Sequence, residues 1–117
     1  MLGAMAEDLA IDDRLRDELT QLTASLCKAV NDPKRLMLLH VLGHGPLAVG
    51  DLADAIDAPQ TNVSQHLAIL REQGLVDTER RGASVIYSLR HPRVLDAIAI
   101  MREVQADEAA RRASLFG

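Results

Sequence analysis

Six hydrogen-bonding side chains crowd the start of one segment: Gln60, Thr61, Asn62, Ser64, Gln65 and His66. Val63, Leu67 and Leu70 recur among and after them at spacings of four and three, the period of one helix face. Such a helix is held from behind by its apolar stripe and offers donors and acceptors in front. Base edges in the major groove of DNA carry a donor/acceptor code. Gln and Asn can pair bidentately with adenine, and Ser or Thr can serve bases or phosphates. The helix N-terminus adds backbone N–H groups suited to phosphate. These six residues form the candidate DNA-contact set. An ordinary solvated helix start is the duller alternative, and His66, beside Leu67, could instead sit half-buried and orient the helix through a hydrogen bond.

Four cations join the set. Arg80 and Arg81 precede Gly82 at an expected hairpin tip, within reach of flanking phosphates or the minor groove. Lys34 and Arg35 open another helix, where a cation opposes the helix dipole; service to a phosphate would explain them. Metal chemistry has thinner support. His40 and His44 are four apart, so a continuous helix would set them on one face, as transition-metal sites do. Gly43 falls between them, and no nearby Cys or Glu completes a ligand set. His91, with Asp96 or a group from a second chain, is a similar candidate. No cofactor is required; nickel or zinc at a non-standard site is the one candidate. The single cysteine, Cys27, is expected to be a small buried hydrophobe. No nucleophile–base arrangement, phosphate-cradling loop or paired carboxylates in an apolar setting is present, so no enzyme is expected.

Bulk properties bound the rest. The 117 residues suffice for one domain with a modest core. Hydrophobic content is 48% but aromatics only 2%, which suits helix-on-helix packing and argues against a base-stacking surface for single strands. The net charge of −4 is unevenly spread. Residues 1–32 hold seven acids and three bases, whereas residues 59–93 hold five bases and three acids. An acidic body with a locally basic patch can still orient on a duplex, with salt-dependent affinity. One cysteine excludes an internal disulfide and fits a reducing cytoplasm. No apolar run is long enough for a bilayer, and no signal-peptide pattern is present.

The elements that position these residues follow from periodicity and punctuation. Residues 1–11 are expected to be a flexible segment, in part an expression remnant. Over 12–31, Leu15, Leu19, Leu22, Leu26 and Ala29 or Val30 make one apolar seam. It fits either a plain core helix or a helix at a dimer interface. Asp32 and Pro33 suit the N-cap and first position of a helix reaching about Leu42. Leu47–Val49 reads as extended and 50–56 as a compact helix. Asp57-Ala58-Pro59 makes the turn into the polar-fronted helix, a helix-turn-helix. Gly74 fits the position just past that helix, with Leu75 as its apolar partner. Period-two stretches at 75–80 and 84–89, around Arg81-Gly82-Ala83, read as a two-stranded wing. A last helix over about 92–113 is apolar almost all round from Val94 to Met101. Such a helix must be buried on every side, which a domain this small cannot do but a second copy can. Residues 114–117 are expected to be a flexible tail.

Specific residues within this order match a known family. Asp32-Pro33-Lys34-Arg35-Leu36, Leu52-Ala53, the run Val63-Ser64-Gln65-His66-Leu67-Ala68-Ile69-Leu70 with Gly74-Leu75-Val76, Arg80-Arg81-Gly82, and Val85-Ile86-Tyr87-Ser88-Leu89 resemble the ArsR/SmtB family of winged-helix transcriptional repressors over roughly residues 15–105. The resemblance implies a cytoplasmic homodimer on a palindromic operator, released when a metal ion or another inducer binds. The family's metal-ligand sets are not matched. Ala48 and Gly50 stand where a Cys-x-Cys pair is common; His91, Arg93, Val104 and Asp107 stand where the last helix carries ligands in other members. Ala83 replaces a common basic wing residue, and Pro59 the usual N-capping Ser.

The expected fold is therefore mostly α with a two-stranded β wing, a winged helix-turn-helix over residues 12–113, dimeric through its N- and C-terminal helices. Leu15, Leu19, Leu22, Leu95, Ile98 and Met101 are the expected interface. The expected function is sequence-specific binding of double-stranded DNA by a repressor released by a metal ion, a small molecule or a separate sensor protein. The alternatives are a winged-helix module that binds protein, and the dimerisation domain of an enzyme resembling a small-molecule methyltransferase.

Overall fold

Helix starts and stops fall where the capping residues put them. The structure, a computed structural model, describes residues 9–116. Helix α1 (Asp13–Leu22) is capped by Asp12, whose side chain accepts from the Leu15 N–H. It runs on through a π-helical turn at Thr23–Cys27 into Lys28–Val30. Helix α2 (Pro33–Leu42) has Asp32 as N-cap and Pro33 in its first turn, as the sequence predicts. Strand β1 (Leu47–Ala48) leads into α3 (Val49–Ile56), so Val49 opens the helix instead of extending the strand. Asp57 ends α3 at φ 53°, a left-handed conformation that Asp tolerates better than most residues. Helix α4 (Gln60–Glu72) follows.

The end of α4 shows how the chain turns into the wing. Leu75 N–H donates to the Leu70 carbonyl at 2.9 Å and Gly74 N–H to that of Arg71 at 3.0 Å. This paired bonding needs a left-handed residue after the cap, and Gly74 supplies it at φ 78°. Strands β2 (Val76–Arg81) and β3 (Ser84–Leu89) then pair antiparallel, from Val76 opposite Leu89 to Arg81 opposite Ser84. Gly82 at φ 61° begins a two-residue loop, as a type II′ turn requires. The sheet has three strands, not two, in the order β1-β3-β2, because Leu47 and Ala48 pair with Tyr87 and Ile86.

One core joins α2, α3, α4 and the wing base. Leu38, Leu39, Leu52, Val63, Leu67, Leu70 and Val76 are fully buried. Ala29 reaches it from the end of α1. In an unbroken α-helix Ala29, seven residues on from Leu22, would return to the same face. The wider π turn between them shifts that phase. Leu15, Leu19, Leu22 and Leu26 are 38–46% exposed while Ala29 is buried. The expected single seam is two faces joined by a π turn.

Helix α5 (Val94–Phe116) contains no buried residue. It runs through Ala113 to Phe116, so 114–116 are helical and not a tail. Val94, Leu95 and Ile98 pack against the core, while Ile100, Met101 and Val104 are 55–63% exposed. The radius of gyration is 18.9 Å, against about 13 Å for a compact domain of this length. No described helix is long and apolar enough to cross a membrane.

Candidate nucleic-acid interface

Helix α4 carries its polar side chains on two faces. Val63, Leu67 and Leu70 are 0% exposed and fix the back of the helix. Gln60, Thr61, Ser64 and Gln65 are exposed and point away from the core. Pro59 occupies the N-cap without any side-chain bond to the helix. The first-turn N–H groups are thus uncapped by a side chain and suited to an anion.

Asn62 and His66, one turn apart, lie on the flank facing the start of α2. Lys34 Nζ donates to Asn62 Oδ1 at 3.0 Å. Lysine only donates, so the Asn62 amide turns its oxygen towards Lys34 and keeps its two N–H groups for other partners. Arg35 reaches His66, with Nη1 3.2 Å from Nδ1; the guanidinium only donates, so this nitrogen accepts. The His66 side chain is 15% exposed. The half-buried, orienting alternative for His66 therefore describes its placement.

Lys34 and Arg35, expected at a phosphate, both hold protein partners here. The Arg35 Nε donates to the Ala29 carbonyl and Nη2 to that of Lys28 at 3.2 Å. With Nη1 at His66, every nitrogen of this guanidinium faces protein. Asp32 anchors the same turn: its Oδ1 accepts from the N–H of Lys34 at 2.8 Å and of Arg35 at 3.3 Å. Partial burial pushes the Asp32 carboxyl up. The two backbone donors, with the Arg35 charge nearby, outweigh that and hold it below the ordinary aspartate value.

The wing supplies the remaining cations. Arg80 and Arg81 are exposed. Arg81 Nη2 lies 3.1 Å from Glu79 Oε2, whereas Arg80 makes no ion pair among the described residues. Arg90 is tied to Asp77 at the wing base, Nε to Oδ1 at 2.8 Å. That pair, absent from the expectations, braces β2 against the end of β3.

The histidines and the cysteine are placed differently. His40 and His44 face each other edge-on with ring centroids 5.8 Å apart. Both are exposed, as is His91. Among the described residues no three His, Cys, Asp or Glu side chains gather as metal ligands do. Cys27 carries a free, exposed thiol on α1, not the buried one expected. It opens onto a cleft of about 930 Å³ between α1 and α5, shared with Leu36, Ile98 and Met101.

A polar helix face beside a β wing, on a buried helix-turn-helix, defines a winged-helix DNA-binding protein. Residues 32–78 match the family described as bacterial regulatory protein, arsR family. The chain is 50% identical over 66 residues to the HTH-type transcriptional regulator NmtR of Mycobacterium tuberculosis, covering 56% of this chain and 55% of that one. It is 36% identical over 94 residues to the HTH-type transcriptional regulator YgaV of Escherichia coli, covering 74% of this chain and 95% of the relative. In structure it is similar to the homodimeric winged helix-turn-helix DNA-binding domain of a possible ArsR-family transcriptional regulator from Mycobacterium bovis. That likeness has a TM-score of 0.69 and 30% identity, and covers 89% of this chain and 94% of the other. The chain belongs to the ArsR family of DNA-binding transcriptional regulators.

Proposed function

We propose that this protein is a cytoplasmic repressor that binds a palindromic operator as a homodimer. The exposed face of α4 carries the reading: Gln60, Thr61, Ser64 and Gln65 stand on a helix whose opposite side is fully buried. Asn62 adds amide donors at the edge of that face. The wing brings Arg80 to flanking phosphates or the minor groove, with Arg81 beside it.

Two copies supply what one chain lacks. Leu15, Leu19 and Leu22 on α1, and Ile100, Met101 and Val104 on α5, are exposed on the arms. A second copy's arms would cover them, seated in the cleft that holds Cys27 and Met101. The Mycobacterium bovis domain is homodimeric, which supports this assembly. Leu95 and Ile98 also pack against the protomer's own core, and Ile98 lines the cleft a second copy would enter. Two recognition helices then face two half-sites a helical turn or more apart.

Release comes from an effector that the arms or a separate sensor protein receives. A metal effector would have to take ligands from both protomers, His40, His44 and His91 being the nearest histidine candidates. The test is fluorescence anisotropy with duplexes selected from random sequence by the native protein. Tight binding that falls steeply with salt supports the reading; no selected duplex, or a salt slope near zero, refutes it.

A further inference from the structure

One side chain, that of Arg35, hydrogen-bonds to both the end of α1 and the flank of α4. At its C-terminal end α1 leaves carbonyls without helical partners. The Arg35 guanidinium takes the Ala29 carbonyl and shares that of Lys28, which also accepts from the Asn31 N–H at 3.3 Å, where a cation also suits the helix dipole. The same planar group touches His66 on α4, four residues on from Asn62, which Lys34 holds. Asp32 fixes the backbone of both Lys34 and Arg35. Ala29, beside this junction, is 0% exposed. The end of the arm helix and the flank of the recognition helix thus meet on one rigid fork.

We propose that Arg35 is a positioning residue that sets the recognition helix relative to the dimer arm, and so fixes the spacing of the two recognition helices in the dimer. This rests on the DNA-binding dimer proposed above. Arg35 acts through His66 and the α1 carbonyls and touches no DNA. A guanidinium can hold three acceptors in one plane; a lysine ammonium, a point charge on a flexible stem, cannot reproduce that fork.

The test uses the full chain and duplexes selected by the native protein. Spacing variants add or remove one base pair between the half-sites. The proteins are native, Arg35→Gln, Arg35→Lys, His66→Ala and the Arg35→Gln/His66→Ala double variant. Anisotropy gives affinity and salt slope, and sedimentation and circular dichroism check assembly and fold. Native protein should prefer the selected spacing. Arg35→Gln should stay dimeric, bind that spacing about tenfold more weakly, discriminate less between spacings and keep the native salt slope. Arg35→Lys should not restore discrimination, and the double variant should lose less than the two single losses combined. Unchanged affinity and discrimination in Arg35→Gln overturns the proposal. So does an equal loss at every spacing with a salt slope reduced by about one, the signature of a phosphate contact. If Arg35→Gln fails to fold, Arg35→Lys decides, and native discrimination in it overturns the proposal. Failure of the native protein to select any duplex overturns the DNA reading itself and this inference with it, a result distinct from a defect confined to the variants.

Discussion

The body and the arms of this protein are built on opposite terms. In the body, Leu38, Leu39, Leu52, Leu67 and Leu70 are all at 0% exposure, and α2, α3, α4 and the wing base close a core with the roots of α1 and α5. In the arms, Leu19 is 46% exposed, Met101 55% and Val104 63%. Both regions are leucine-, valine- or methionine-rich, so composition does not separate them. What separates them is whether the same chain supplies the facing surface. The body is a finished domain, and the arms are half of an interface.

Substitutions can break that contrast. Leu39→Ala should have the largest effect on folding, lowering stability by about 2–5 kcal/mol, a large share of the 5–15 kcal/mol typical of a domain. Denaturant unfolding measures it. The pair Leu19→Glu and Met101→Glu should leave the body folded by circular dichroism. It should weaken dimerisation by about 100-fold or more, since each apolar side chain covered in the dimer contributes roughly 1.5–3 kcal/mol; a dimer of native strength would place the interface elsewhere.

Smaller effects sharpen the division of labour on α4 and the wing. Ser64→Ala and Gln65→Ala should each cost about 1–3 kcal/mol of binding to a selected duplex with unchanged melting, because both side chains are exposed. Arg80→Ala should weaken binding to all sequences alike and reduce the salt slope by about one. Arg81→Ala should do less, because Glu79 already engages Arg81. The smallest effect concerns acid. Asp32 is held below the ordinary aspartate value in the fold, so its contribution is complete above that ordinary value. It is lost as pH falls through the folded one. Acid titration of Asp32→Asn should show a shallower loss of stability in that interval than the native protein.

Local signals carried most of the fold. Asp32-Pro33 marks the start of α2, Gly74 the end of α4, and Gly82 the wing turn, because each is a conformational requirement met by one residue type. The exposed front of α4 was legible for the same reason: Val63, Leu67 and Leu70 fix which face turns inward. What escaped depends on distant or external partners. A two-residue strand such as Leu47–Ala48 is too short to show a period, so its pairing with β3 was hidden. The π turn in α1 has no sequence signature here. The contacts of Arg35 with Lys28, Ala29 and His66 escaped because those acceptors are brought to it only by tertiary structure. Cys27 seemed buried because its type usually is, but its thiol is exposed. Helix α5 runs past Ala113 because no helix breaker stands at Ser114, Leu115 or Phe116.

Sedimentation velocity of the full chain, alone and with a duplex it has selected, tests most directly whether the arms join two copies that bind DNA together. Free protein should sediment at twice the 12.7 kDa chain mass, and one duplex should carry two chains. A 12.7 kDa species that stays single at micromolar concentration and binds DNA as a lone chain would contradict it.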